Sequence, residues 1–294
     1  MTVDLGVLVL PEHQGPRGAD VWRGVEELGV AHAWTFDHLS WRLLRTEPWF
    51  DAFVTLTAAA CVTERVELGT LVTTPNFRHP VLTAKQAMSL DHVSGGRFVL
   101  GVGAGVPGPD TAALGGGELP TARRMERFEE FVDLVDRLLR QPATTFRGTY
   151  FDAVDIPMRP GCLRHPRPPL ALAASGPRGM RTVARHADIW VSNGPPPDVG
   201  PLEEHAVLRW AGRQAEQVDE VCAAEGRAPG SLRKLLYVSR AIPDACASPQ
   251  RLCDLVSRCA ELGFTDVVLA HPRPRGVFAQ DMAVFKKAVT AWTR

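Results

Sequence analysis

The sequence predicts an α/β fold closed into a single TIM-type (β/α)8 barrel. Short β-rich runs alternate strictly with longer helical patterns, which implies parallel βαβ units. Eight such units fit within 294 residues, which favours a closed barrel over an open doubly wound sheet. No internal repeat or linker divides the chain, so residues 1–294 read as one domain.

Val3–Leu10 reads as the first strand, and Ala19–Leu28 as a helix stopped by Gly29. Ala33–Asp37 is the second strand, and Phe53–Thr63 repeats apolar residues at helical spacing. Val66–Thr73 and Arg97–Val102 are strands three and four, flanking a helix at Val81–His92. A Gly/Pro-rich loop, Gly103–Pro120, precedes a helix at Ala122–Arg140, where Met125, Phe128, Val132, Val135 and Leu139 share one face. Gln141–Pro169 reads as a proline-rich loop. Strands Leu170–Ala174, Ile189–Ser192, Arg233–Arg240 and Thr265–Leu269 then alternate with helices Arg178–His186, Leu202–Glu225, Pro249–Leu262 and Ala279–Trp292.

In such a barrel, loops after the strand C-termini build the functional face, and the opposite end carries stability. The functional loops are therefore Pro11–Gly18, His38–Trp49, Thr74–His79, Gly103–Pro120, Ser175–Arg178, Asn193–Pro201, Ala241–Ser248 and His271–Phe278. On the stability face, Asp91 and Arg97 are expected to pair across the Ser94-Gly95-Gly96 turn.

Composition narrows the function classes. Thirty-three basic and 33 acidic residues balance, and no segment is strongly basic, which argues against nucleic-acid binding. No apolar run is long enough to span a membrane, and no export signal is evident, so the cytoplasm is the expected compartment. Cys61, Cys162, Cys222, Cys246, Cys253 and Cys259 show neither C-x-x-C nor zinc spacing. They read as free thiols, mostly in helical patterns, and no metal site is expected.

Gly103, Gly105 and Gly108 form a G-x-G-x-x-G after strand four. A dinucleotide site needs a helix starting at those glycines and an acidic residue about 20 positions on. Pro107 and Pro109 delay the helix, and the acidic residue is missing, so a glycine-rich floor for a flat ring reads better. At Ala174-Ser175-Gly176-Pro177-Arg178-Gly179-Met180, Ser175 suits an N-cap and Pro177 an early helical position. The amides of that helix start, with Arg178, would attract a phosphate. Asp37-His38 ends strand two at the functional face, where a His can act as acid or base and Asp37 could orient it. Trp41 and Trp49 read equally as stacking partners or core, and mid-strand Trp34 reads as core. No G-x-S-x-G, P-loop or H-E-x-x-H is present.

The stretch VELGTLVTTPNFRHPVLTAKQAMSLDHVSGGRFVLGVGAG, Val66 to Gly105, resembles the bacterial luciferase-like flavin-dependent oxidoreductases. FDHL at Phe36–Leu39, RFEEFVDLVDRLL at Arg127–Leu139 and RPPLALAASGPRGMRTVARHADIW at Arg167–Trp190 extend the likeness to about residue 194. The resemblance implies a TIM-type barrel binding reduced FMN or, in one branch, coenzyme F420, an 8-hydroxy-5-deazaflavin. It implies a non-proline cis peptide at Leu71-Val72, after Thr70, supporting the ring. It also implies that Gly103, Ala104 and Gly105 line the ring, that Ala174 and Ser175 to Met180 hold the phosphate, and that His38 is the acid or base. In the branch that oxidises glucose 6-phosphate, a Trp and a Glu assist this His. Trp41 matches the first, but Val106 stands at the Glu position, which argues against a sugar phosphate.

The function expected from the resemblance is an FMNH2-dependent monooxygenase acting on a small organic substrate, with a separate flavin reductase and a homodimeric state. The alternatives are F420-dependent hydride transfer without oxygen and a non-catalytic flavin-binding member, against which the retained Ser175, Gly176 and Arg178 argue. Trp41, Trp49, Asn76 and Asn193 are expected to line the substrate pocket.

Overall fold

A computed structural model describes residues 3–115, 117–196, 200, 202–228 and 230–293. Its first half runs β1 (Asp4–Leu8), α1 (Gly15–Glu27), β2 (His32–Thr35), α2 (Ala52–Ala60), β3 (Glu67–Thr70), α3 (Pro80–Val93), β4 (Phe98–Gly103), α4 (Pro109–Ala113) and α5 (Thr121–Arg140). The second half runs β5 (Ala143–Arg147), β6 (Asp152–Pro157), β7 (Leu170–Ala173), α6 (Pro177–His186), β8 (Ile189–Ser192), α7 (Glu204–Ala224), β9 (Arg233–Tyr237), α8 (Pro249–Glu261), β10 (Asp266–Ala270) and α9 (Met282–Thr293). Strands β1-β10-β9-β8-β7-β4-β3-β2 close into a barrel through parallel pairings. Each of the eight predicted strands and helices is present. No helix among the described residues is long and apolar enough to cross a membrane.

Period-2 alternation builds two cores. Leu8, Trp34, Val99, Ala171, Ile189, Val191, Leu235, Tyr237 and Val268 fill the lumen. Their neighbours Val7, Ala33, Phe98, Leu100, Leu172, Trp190, Leu236 and Val267 face the helices. The apolar stripe of α5 docks on that outer layer through buried Phe128, Phe131, Val132 and Val135. Each such side chain contributes about 1.5–3 kcal/mol by leaving water.

Three of these elements, β5, β6 and α4, lie where loops were expected. β5 and β6 pair as an antiparallel hairpin inside Gln141–Pro169. Its turn is held from α5, where Glu130 accepts hydrogen bonds from the amides of Thr149, Tyr150 and Phe151 at 2.8, 2.8 and 2.6 Å. Bounding prolines at 142 and 157 mask the short alternation in sequence. α4 lies inside Gly103–Pro120, and Gly116, Pro197–Val199 and Pro201 of the predicted loops fall outside the described residues. Cys222, Cys246 and Cys259 are buried free thiols, whereas Cys61 is exposed.

The predicted Asp91–Arg97 pair does not form. Asp91 accepts from the amides of Leu163 (2.7 Å) and Arg164 (3.0 Å), a segment far along the chain. Arg97 instead donates to the carbonyls of Ala60, Thr63 and Val66, tying the end of α2 to β3. Orphan carbonyls at a helix end attract a guanidinium.

At the stability face, Arg233 Nη2 lies 2.5 Å from buried Asp266 and its Nη1 lies 3.1 Å from Glu67. His32 Nε2 approaches Asp266 at 3.0 Å, and Trp34 Nε1 donates to His32 Nδ1 at 2.6 Å. Gly6 makes room for this ring, since a Cβ there would sit 1.9 Å from His32 Nδ1. Burial opposes ionisation of the Asp266 carboxyl, but His32 and Arg233 outweigh it and hold it well below the usual range. A carboxylate depressed on folding stabilises above its unfolded pKa of about 3.9 and loses that contribution as pH falls below it. Denaturant titrations should therefore show wild type losing stability from about pH 4 downward. Asp266→Asn, already weaker at neutral pH, should lose less over that interval. Equal losses in both proteins would remove Asp266 from acid unfolding.

Candidate active site

The chain leaves β2 with alternating directions. Phe36 packs against the lumen core, Asp37 turns outward and His38 stands at the mouth. Asp37 is fully buried and accepts from Arg78 Nε (3.0 Å), Arg78 Nη2 (2.6 Å) and Thr73 Oγ1 (2.9 Å). The same Arg78 reaches Asp51, the N-cap of α2, at 2.6 Å. Asp37 is thus a clamp between the β2 and β3 ends, and it does not orient His38 as the sequence suggested.

The carboxylate at His38 belongs to Asp110, in the first turn of α4. His38 Nδ1 and Asp110 Oδ2 are 2.5 Å apart. Asp110 Oδ1 accepts from the amides of Leu39 (3.0 Å) and Ser40 (3.3 Å), which fixes the carboxylate against the loop. The imidazole is 28% exposed and the carboxylate 10%. A carboxylate at Nδ1 selects the tautomer protonated there, leaving Nε2 as the acceptor for a reacting group. Trp49 Nε1 donates to the His38 carbonyl at 2.8 Å and holds the backbone.

Beside this pair the β3–β4–β7 side of the mouth is built from small residues. The Leu71-Val72 peptide is cis, as the resemblance implied. Thr70 bridges the Gly101 amide (3.0 Å) and carbonyl (2.9 Å) through its hydroxyl. The glycines make room chiefly for this bulge. A Cβ on Gly101 would fall 1.7 Å from the Thr70 carbonyl oxygen, and one on Gly103 would fall 2.8 Å from Val72 Cγ2. Gly105, at φ +74°, abuts Thr74 and Asn76. The glycine run therefore serves the chain's own bulge before it serves any ligand. Asn76 is spent on structure: it donates to the Val106 carbonyl (2.9 Å) and accepts from Arg127 (2.6 Å).

The opposite side is aromatic. Trp41 lies 5.1 Å from Phe36, 6.0 Å from Trp49 and 6.0 Å, nearly parallel, from Phe278. Tyr237 sits edge-on to Phe36 at 6.0 Å and to Phe278 at 6.5 Å. The loop carrying Phe278 is anchored by Arg273, which forks onto Glu12 at 2.9 and 2.8 Å. Trp41 and Trp49 thus belong to the mouth, whereas Asn193 is exposed and its carbonyl accepts from Arg240.

A model of the luciferase-like monooxygenases matches residues 5–245. The chain belongs to this family. The 4-hydroxyprotoasukamycin monooxygenase of Streptomyces nodosus subsp. asukaensis is 32% identical over 222 residues, covering 71% of this chain and 57% of that protein. The F420-dependent glucose-6-phosphate dehydrogenase of Amycolatopsis mediterranei is 33% identical over 193 residues, covering 63% and 55%. The chain spans little more than half the length of these two relatives. The coenzyme F420-dependent tetrahydromethanopterin reductase of Methanopyrus kandleri superposes with a TM-score of 0.75 over 100% of this chain and 98% of that one, at 18% identity, a likeness of fold.

Two of these relatives are F420-dependent, and the mouth here offers room and donors for a flavin-type ring and its phosphate. Val72, Gly103, Ala104, Ala173 and Ala174 leave one side nearly free of bulk. α6 begins at Gly176 with no side-chain cap, and Ser175, Gly176 and Pro177 are exposed, so the first amides there are open to an anion. Ser175 is not the cap that its sequence position suggested. Arg178 is forked onto Glu129 at 2.7 and 2.7 Å, so its charge is already balanced. Gly179 packs against Ala174 and Met125, and Met180 is buried in the outer core. The residues present fit a flavin-type ring and a phosphate, the latter held by backbone amides and the Ser175 hydroxyl.

Asp110, Phe36, Tyr237 and Phe278 were not among the sequence candidates. Gly108-Pro109-Asp110 does carry a helix-start signature with an acidic first turn. Tyr237 continues the alternation of Leu235, which assigns it to the lumen once the strand is known.

Proposed function

We propose that the chain is a reduced-FMN-dependent monooxygenase acting on a small organic substrate. The observation that carries this reading is an aromatic mouth with the His38–Asp110 pair at its edge. Oxygen transfer from a flavin needs a site that excludes water. When bound, reduced FMN supplies the electrons that activate oxygen, and a separate reductase would regenerate it.

The chain's own residues supply position and proton control. The α6 amides and Ser175 hold the phosphate, while Val72, Gly103, Ala104 and Ala173 leave space for the ring. His38 takes or returns a proton at Nε2, and Asp110 keeps its ring oriented. Phe36, Trp41 and Phe278 exclude water.

A second reading, F420-dependent hydride transfer, is favoured by the GTLVTTPNFR stretch and by the F420-dependent relative. His38 Nε2 would then accept the proton of an alcohol. Anaerobic titration of the cofactor-free chain with reduced FMN and with F420 separates the two. Saturable binding of reduced FMN with substrate-dependent oxygen uptake is expected. Tight binding of F420 alone would replace the first reading by the second, and binding of neither would remove both.

A further inference from the structure

The aromatic side of the mouth holds one polar atom that nothing in the fold uses. Tyr237 ends β9, and alternation with Leu235 turns its ring into the lumen. The residue is 3% exposed, and its hydroxyl has no hydrogen-bond partner among the described residues. Buried hydroxyls are almost always satisfied, so an orphan at the functional end of the barrel points to a partner that arrives with a ligand. The other orphaned polar atoms among the described residues lie on other elements: Thr35 Oγ1 on β2, outward like Ala33, Thr83 Oγ1 and Asp91 Oδ1 on α3, the Nε atoms of Arg124 and Arg127 on α5, Gln214 Oε1 on α7, and His32 Nε2, which approaches Asp266 at the stability face.

The surroundings define what that ligand is. Phe36, Phe278 and Trp41 present apolar ring surface around Tyr237. Three of the nearby charges are committed, and a fourth, Arg42, stands exposed to solvent beside Arg240. Arg240 donates to the carbonyls of Asn193 and Pro195, Arg273 to Glu12, and Asp110 binds His38. Burial pushes the phenol well above its ordinary pKa, against the opposing pull of Arg240, so it stays a donor at neutral pH.

We propose that the substrate is a neutral, apolar-bodied molecule carrying one acceptor oxygen, that Tyr237 Oη donates to that oxygen, and that Phe36, Trp41 and Phe278 pack the body. The proposal rests on the flavin reading only in taking this mouth as the substrate's entrance.

The test is a ligand-observed proton NMR titration of the full chain, with and without saturating FMN. The probes are acetophenone, its planar isostere α-methylstyrene, which has a methylene in place of the carbonyl oxygen, and benzoate. Wild type should bind acetophenone about five- to tenfold tighter than α-methylstyrene, the worth of one buried hydrogen bond. Tyr237→Phe should bring that ratio to about one. Because the lost hydroxyl had no partner, its melting temperature should equal or exceed that of wild type. Phe278→Ala should weaken both probes alike and keep the ratio. Equal affinities in wild type, a ratio that survives Tyr237→Phe, tighter binding of benzoate, or a lowered melting temperature in Tyr237→Phe would each overturn the proposal. If the ratio behaves as stated but neither FMN nor F420 binds, the flavin reading fails and the pocket stands. If a flavin binds but the ratio does not appear, the pocket alone fails.

Discussion

His38→Ala is expected to lower turnover by about 10²- to 10⁴-fold, the usual range for a positioned general acid or base, with flavin affinity nearly unchanged. The reason is placement. His38 stands at the mouth with Nδ1 held by Asp110 at 2.5 Å, which leaves Nε2 for a reacting group. Asp110→Asn tests the pair more sharply. An amide can donate to Nδ1, which moves the imidazole proton to Nε2 and removes the acceptor. In a known His–Asp system that exchange of tautomer costs on the order of 10⁴ in turnover; here a loss of at least about 10²-fold is expected. Parallel titration with flavin separates lost chemistry from lost binding. Undiminished turnover in both variants would take the pair out of the mechanism.

Asp37→Ala is expected to destabilise the fold by about 3–5 kcal/mol, the cost of leaving one member of a buried ion pair alone. Arg78 would lose both hydrogen bonds to Asp37 and keep only Asp51. Arg78→Ala should cost a similar amount, and the double variant less than the sum of the two, because the residues share one interaction. Urea midpoints at neutral pH measure all three. An Asp37→Ala protein as stable as wild type but inactive would return Asp37 to the catalytic machinery.

These two carboxylates show where local reading stops. Asp37 is adjacent to His38 in sequence, so it looked like the orienting group. In a strand or its extension, successive side chains point to opposite faces. Adjacency therefore works against contact, and Asp37 turns away toward Arg78, 41 positions on. The true partner of His38 lies 72 positions away on a five-residue helix inside what read as a loop. Tyr237 escaped notice for a related reason. Its chemistry comes from having no partner, and that is defined only when every neighbour is in place.

The sequence by itself determined the barrel, its strand and helix order, and the end of the barrel at which His38 stands. Those properties follow from periodicity, turn residues and parity, all of which are local. Only the tertiary structure decided which carboxylate lies against His38, that the glycines of β4 admit the Thr70–Val72 bulge, that Arg178 is already balanced, and that the buried Tyr237 hydroxyl has no partner among the described residues. These depend on side chains brought together across closed strands and loops. Distance along the chain carries no information about such meetings.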